Sequence, residues 1–167
     1  DCVSDSILPV LSDTQYMERL QKIPAIMELV YNPIVKSYIE LYTVKKRKQM
    51  EYMLGVGAYY FPIFEQALDA AGLPIELKYL PVIESALNPK AYSVAGASGL
   101  WQFMYGTGKV YGLVGNSLID ERRDPIKATN AAVRYLRDLH NIYNDWSLVI
   151  AAYNCGPGNV NKAIHRA

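Results

Sequence analysis

No apolar run in this chain approaches the roughly 18 residues that would suggest a membrane-spanning helix. Its opening, Asp1-Cys2-Val3-Ser4-Asp5-Ser6, lacks the basic-then-apolar order of a secretory signal, so an exported protein with this start is expected to be a processed or trimmed form. Charge of one sign is missing as well. Seventeen Lys and Arg stand against 16 Asp and Glu, a formal net charge of +1, so no global field draws nucleic acid and none is expected as a partner. The two histidines, His140 and His165, have no metal-ligand spacing with each other or with the two cysteines, so no metal is expected. Gly106-Thr107-Gly108-Lys109 lacks the full spacing of a phosphate-cradling loop, and no cofactor is expected. Cys2 and Cys155 are read as free thiols; a disulfide between them is the alternative in an oxidising compartment. The acidic Asp1 argues against a lipid-anchor cleavage site before Cys2. Strand-length alternation with turn signals, repeats and low-complexity linkers are also lacking.

At 167 residues and 51% hydrophobic content, the chain is long enough to bury a core and has an ordinary globular composition. Three Phe and two Trp are set against 14 Tyr. Tyrosine has an apolar face and a hydroxyl, which suits a wet groove holding sugar rings; the plainer reading places most of them at the edge of the core.

Helix signals follow one another along the chain. Ser12-Asp13-Thr14 caps a first helix through Leu20, and Asn32-Pro33 starts a second with Val35, Ile39 and Tyr42 on one face. A stretch from Lys46 to about Tyr60 follows, and Pro62 is expected to open another that Gly72 stops. Between Leu73-Pro74 and Asn88-Pro89, Leu77, Leu80 and Ile83 point inward and Pro81 is expected to bend the helix. Asp124-Pro125 begins a long helix, Asp145 caps the next, and Gly156-Pro157-Gly158 turns into a last one. A small β-like excursion is expected around Ala91 to Ala97. The architecture read from this pattern is predominantly all-α. Residues 1–72 form an N-terminal helical segment packing on a core at 73–167, one domain overall. A further downstream portion is expected.

Glu84 stands in the last turn of its helix, where carbonyl dipoles disfavour a negative charge. A glutamic acid donates a proton at neutral pH only if its pKa rises above about 4.3, which burial against Val82, Ile83 and Leu87 can do. Alone it reads more readily as a surface cap or ion-pair partner, and the motifs that follow it reverse that balance. It is followed by Ser85, by Gly96-Ala97-Ser98-Gly99-Leu100-Trp101-Gln102-Phe103-Met104, and by Ala151-Ala152-Tyr153-Asn154-Cys155-Gly156-Pro157-Gly158. Glycines let backbone approach a ligand or adopt left-handed turns, and Gln102 offers the donor and acceptor that an N-acetylated sugar matches. Leu100, Phe103 and Trp101 read as core, with the Trp101 ring as an alternative sugar floor. Asp120, Glu121 and Asp124 beside Arg122 and Arg123 read as a salt-bridged capping segment, and Glu76 is explained by the helix dipole. The run Lys45-Lys46-Arg47-Lys48 reads as a solvated helix face.

In this order the motifs resemble the catalytic domain of lytic transglycosylases with the lysozyme-like fold, nearest the membrane-bound lytic murein transglycosylase D type. The likeness is strong from Leu73 to Ala163. It implies a fold of the goose-type lysozyme and lytic transglycosylase kind. It also implies cleavage of the MurNAc-β-1,4-GlcNAc bond of peptidoglycan glycan strands without water, giving 1,6-anhydroMurNAc ends in the periplasm or cell envelope. Glu84 would be acid and then base. Tyr153 would hydrogen-bond its carboxyl, and Gln102 and, more loosely, Met104 would line the groove. Ser85 would contact the sugar unless its own helix satisfies it, and Asn154 would either touch substrate or secure a turn. The family commonly has proline where Tyr105 stands, which bears on the local shape of the groove. Any membrane or wall association would come through segments outside this chain. The rival readings are a hydrolytic lysozyme of similar fold and a non-catalytic wall-binding or scaffold module.

Overall fold

The computed structural model describes residues 11–166, so Cys2 and any bond it makes lie outside them. Contacts divide the chain into two compact units, with the boundary between Arg47 and Lys48.

The first unit holds helix α1 (Asp13–Gln21) and helix α2 (Pro33–Glu40), which continues into a π-turn at Leu41–Lys45. The Ser12 hydroxyl accepts from the Gln15 amide while the Gln15 side chain accepts from the Ser12 amide, a capping box at the start of α1. Asn32 caps α2 through the Val35 amide, with Pro33 at its first position. Polar contacts tie the helices: Lys36 Nζ lies 2.6 Å from Asp13 Oδ1, and the Tyr31 hydroxyl donates to that same oxygen at 2.9 Å. None of the described residues of this unit is buried.

The second unit has a core. Its helix α3 runs from Arg47 to Ala70 and buries Met53, Gly57, Tyr60, Phe64 and Leu68, one stripe at spacings of three and four. The helix passes through Pro62. The sequence predicts a break there, but Pro62 sits on the exposed side, and burial of the Tyr60, Phe64 and Leu68 stripe offsets the missing amide donor. Gly72, at φ +66°, ends this stretch as predicted.

After α3, a 3₁₀ turn at Ile75–Tyr79 leads into the short helix α4 (Leu80–Ser85). Pro81 therefore stands in the first turn of α4, where its missing N–H costs nothing, and does not bend a longer helix. The helix stops at Ser85, before Asn88-Pro89, because Ala86 and Leu87 both take left-handed conformations, at φ 51° and 59°. Helix α5 (Tyr105–Val110), a 3₁₀ turn at Glu121–Arg123, and helices α6 (Pro125–Tyr143), α7 (Trp146–Cys155) and α8 (Pro157–Ile164) complete the unit. Helix α6 buries Ala128, Ala132, Leu136 and Leu139 along one face. Trp101 is fully buried and meets Phe64 edge-on, with ring centroids 5.2 Å apart. It is a core residue, as the plainer reading has it. Among the described residues the only β pairing is isolated bridges. Ser98 is bridged to Tyr92 and to Phe103, and Gly115 to Asp120.

Candidate active site

The motif residues converge on the turn between α4 and α5. Glu84 and Ser85 end α4. Tyr153 and Asn154 lie in the last turn of α7, Gln102 sits inside the turn, and Met104 closes it as the residue preceding α5. The turn is fastened through its own carbonyls. The Ser85 hydroxyl lies 2.9 Å from both the Pro81 and the Leu100 carbonyl oxygens, and the Tyr153 hydroxyl donates to the Trp101 carbonyl at 2.6 Å. The Gln102 side-chain NH₂ donates to the Gly99 carbonyl at 2.9 Å and lies 3.4 Å from that of Ala91.

Glu84 is half-buried. Loss of hydration raises its pKa above the ordinary 4.5, since burial penalises the carboxylate more than the acid, and a hydrogen bond from the Asn154 amide pulls it partly back. No other carboxylate is among the groups that shift it. Ile83, expected to help cover the acid, is 69% exposed, whereas Leu87 is fully buried.

The Tyr153 hydroxyl is placed differently from the sequence expectation. Its hydrogen is committed to Trp101 and does not go to Glu84. The phenol is held neutral, its pKa raised well above 10.0 by burial and by the nearby charge of Glu84. Toward the acid it therefore offers only oxygen lone pairs. The hydrogen bond donated to Glu84 comes from Asn154 instead. The Ser85 hydroxyl is taken up by backbone carbonyls, the alternative weighed for it, and it anchors the acid's helix to the turn. Gln102 has its amide hydrogens turned inward and keeps Oε1 without a hydrogen-bond partner among the described residues. It stands at φ 49°, a left-handed position that costs a non-glycine residue on the order of 1–3 kcal/mol. Met104 is exposed.

One residue of this framework is not legible in the sequence. Arg122, read as part of a salt-bridged capping segment, is 8% exposed. Its guanidinium binds Asp120 through Nε at 2.9 Å and Nη2 at 2.8 Å, and Nη1 donates to the carbonyls of Gly96 at 2.8 Å and Phe103 at 3.0 Å. Two of the nearby glycines make room for this residue, Gly99 for its backbone and Gly108 for its side chain. A Cβ on Gly99, whose φ is +84°, would stand 1.8 Å from the Arg122 carbonyl oxygen, and one on Gly108 would press the Arg122 stem at 3.3 Å. Tyr105, where the family commonly has proline, lays its ring 5.7 Å from the guanidinium and bonds the Gly115 carbonyl at 3.1 Å. The density of glycine in 96–108, with few side chains to hold it, was the available signal. The rest of the segment matches its reading: Asp124 caps α6, and Lys127 pairs with Glu121.

Comparison with known proteins places this framework. The Transglycosylase SLT domain family matches residues 61–167. Over 130 residues the chain is 37% identical to membrane-bound lytic murein transglycosylase D of Escherichia coli (strain K12), covering 77% of this chain and 26% of that one. The chain thus spans about a quarter of that relative's length. Over 82 residues it is 40% identical to the soluble lytic murein transglycosylase of the same organism, covering 46% of this chain and 13% of that one. Among solved structures, the 70 kDa soluble lytic transglycosylase from Escherichia coli superposes with a TM-score of 0.53 at 32% identity, over 62% of this chain and 18% of that chain. An inactive mutant of lytic transglycosylase Slt from Pseudomonas aeruginosa gives 0.52 at 27% identity, over 60% and 17%. The all-α, lysozyme-like fold expected from the motifs is the fold of this chain. The chain belongs to the Transglycosylase SLT domain family.

Proposed function

We propose that this chain is the catalytic domain of a peptidoglycan lytic transglycosylase. It cleaves the MurNAc-β-1,4-GlcNAc bond without water and leaves 1,6-anhydroMurNAc ends. The observation that carries the reading is a half-buried glutamic acid whose pKa is raised by burial, with an amide donating to its carboxyl and its charge felt by a buried, neutral phenol.

Breaking a glycosidic bond requires a proton on the bridging oxygen while positive charge grows on the ring. Burial shifts Glu84 toward its protonated form, and the acid gives that proton to the leaving oxygen. Tyr153 has its own hydrogen turned away and can face only the protonated carboxyl favourably. Asn154 stabilises the carboxylate left behind. That carboxylate then takes the proton from the 6-hydroxyl of the same sugar, whose oxygen closes on the anomeric carbon. An ordinary glycosidase needs a second carboxylate to act on water or on the ring. An intramolecular attacker with an effective concentration of up to about 10⁵ M or more does not. Gln102 Oε1 accepts from the sugar's N–H, and Met104 lines the groove.

The relatives are named as membrane-bound and soluble murein enzymes, which supports a place in the cell envelope, in the periplasm. No helix among the described residues is long and apolar enough to cross a membrane, so membrane attachment is assigned to segments outside this chain. The 70-kDa relative was solved in complex with bulgecin A, and the Pseudomonas aeruginosa enzyme as an inactive mutant with glutamine in place of one glutamate. The same substitution is the test here. Glu84→Gln is expected to keep the fold and glycan binding and to lose a factor of about 10² to 10⁴ in muropeptide release. Near-parental release by this variant overturns Glu84 as the acid, whereas glycan binding without release by the parent itself leaves a wall-binding module as the better account.

A further inference from the structure

We infer that Arg122 is a positioning residue for the Glu84 reaction. Its guanidinium fork joins the two ends of the Gly96–Phe103 turn, and that turn presents Gln102 and is tied by Ser85 to the acid's helix. The inference rests on the reading of Glu84 as the catalytic acid.

Four of the five guanidinium hydrogens have assigned partners. Two go in parallel to the Asp120 carboxylate, and two, both from Nη1, go to the carbonyls of Gly96 and Phe103. Gly96 and Phe103 are the two ends of the turn, so one planar group sets the distance between them. The backbone of Arg122 reinforces this from the other side, because its carbonyl fills the space a Gly99 Cβ would need. The neighbouring Arg123 Nε donates to Ser98 Oγ at 3.0 Å, a third fastening from the same 3₁₀ turn.

Between these points lie three residues whose polar groups the site uses. Leu100 takes the Ser85 hydroxyl, Trp101 takes the Tyr153 hydroxyl, and Gln102 leaves Oε1 without a partner among the described residues. A change in the span from Gly96 to Phe103 therefore moves the partners of Ser85 and Tyr153 together. Asp120 neutralises the charge, so what Arg122 supplies is geometry. A lysine ammonium is a single compact donor centre and cannot serve both carboxylate oxygens and both carbonyls in one plane. The turn has other backbone support, the Ser98 amide to the Phe103 carbonyl at 3.0 Å and the Gly99 amide to the Ala91 carbonyl at 2.9 Å. Loss of the fork should accordingly loosen the turn before it unfolds the domain. Misplacement by about 1 Å can cost roughly 10² in rate.

The test uses the full chain with purified peptidoglycan, in Arg122→Lys, Arg122→Ala and Asp120→Asn. Helix content and melting are followed alongside kcat, KM and amide hydrogen exchange. Arg122→Lys is expected to fold, to lose about 10- to 100-fold in kcat with a smaller change in KM, and to exchange faster at Ser98, Gly99 and Gln102 while α6 stays protected. Millimolar guanidinium should restore part of both the rate and the protection in Arg122→Ala, and ammonium at the same concentration should not. Asp120→Asn, which leaves the fork and its carbonyl bonds in place, should fall between parent and Arg122→Lys. It carries the test if Arg122→Ala fails to fold. Parental kcat in folded Arg122→Lys overturns the inference. So does a loss that tracks only the unfolded fraction and is not rescued. Failure of the underlying reading is separate: there Glu84→Gln itself cleaves at the parental rate.

Discussion

The two units of this chain solve the same problem by different means. Residues 11–47 form two helices with side-chain caps at their N-termini, yet none of these residues is buried. They are held by a capping box, an Asn cap and the Asp13 cluster with Tyr31 and Lys36. Residues from 48 onward bury a continuous core, from Phe64 and Leu68 on α3 through Trp101 to Leu136 and Leu139 on α6. Exposed ion pairs of the first kind are worth about 0–1 kcal/mol each, whereas one buried leucine contributes a few. The difference explains where the strained backbone lies. Among the described residues, left-handed Ala86, Leu87 and Gln102 lie in the unit with the core, none of them exposed, where packing can hold such conformations; left-handed Asn144 is an exposed helix cap, a conformation asparagine tolerates.

That contrast can be broken at several points. The largest expected effect is at Gly99, where alanine combines a left-handed φ with a Cβ 1.8 Å from the Arg122 carbonyl oxygen. The loss should exceed about 4 kcal/mol, in the range reserved for an identifiable packing failure, and denaturant unfolding will read it as a sharply lowered midpoint. Next, Leu136→Ala should cost about 2–5 kcal/mol, while Ile34→Ala, at a side chain 67% exposed on α2, should stay within roughly 0.5 kcal/mol. Equal effects for the pair would erase the distinction between the units. Smaller still, Ser12→Ala should remove about 1 kcal/mol from α1 and leave the melting of the core and the cleavage rate unchanged.

The last of these effects depends on pH. Burial raises the Glu84 pKa in the folded chain above its ordinary 4.5, so folding favours the protonated form. The stabilisation this gives is fully present below the unfolded-state pKa and is lost as pH rises through the folded-state pKa. Glu84→Gln removes the ionisation. Its melting temperature relative to the parent should therefore increase as pH is raised from 4 to 7. A constant difference over that range would mean that Glu84 is not appreciably desolvated.

Much of the framework was legible because it depends on local rules. Ser12, Asn32, Asp124 and Asp145 cap the helices they were expected to cap. Gly72 stops α3, and Glu84 falls in a last helical turn. The misplaced boundaries were at Pro62 and Pro81, where tertiary burial and an intervening 3₁₀ turn decided the outcome. At the site, the six residues singled out from the sequence lie around one turn in the structure, but sequence order did not assign their bonds. Whether a phenol points at a carboxyl or at a carbonyl beside it is decided by a few ångströms of packing, which no spacing encodes. Arg122 shows the same limit. A run of alternating acids and bases looks alike whether its arginine faces water or closes a turn.

The measurement that bears most directly on the central claim is the product formed in heavy-oxygen water. With Glu84 acting first as acid and then as base toward the 6-hydroxyl, digestion of peptidoglycan in that solvent should give anhydro-ended fragments carrying no label at the cleaved carbon, and Glu84→Gln should give almost none. Labelled reducing ends as the main product would contradict the account. They would make the protein a hydrolase in which Glu84 remains the acid and water, not the sugar's own hydroxyl, completes the reaction.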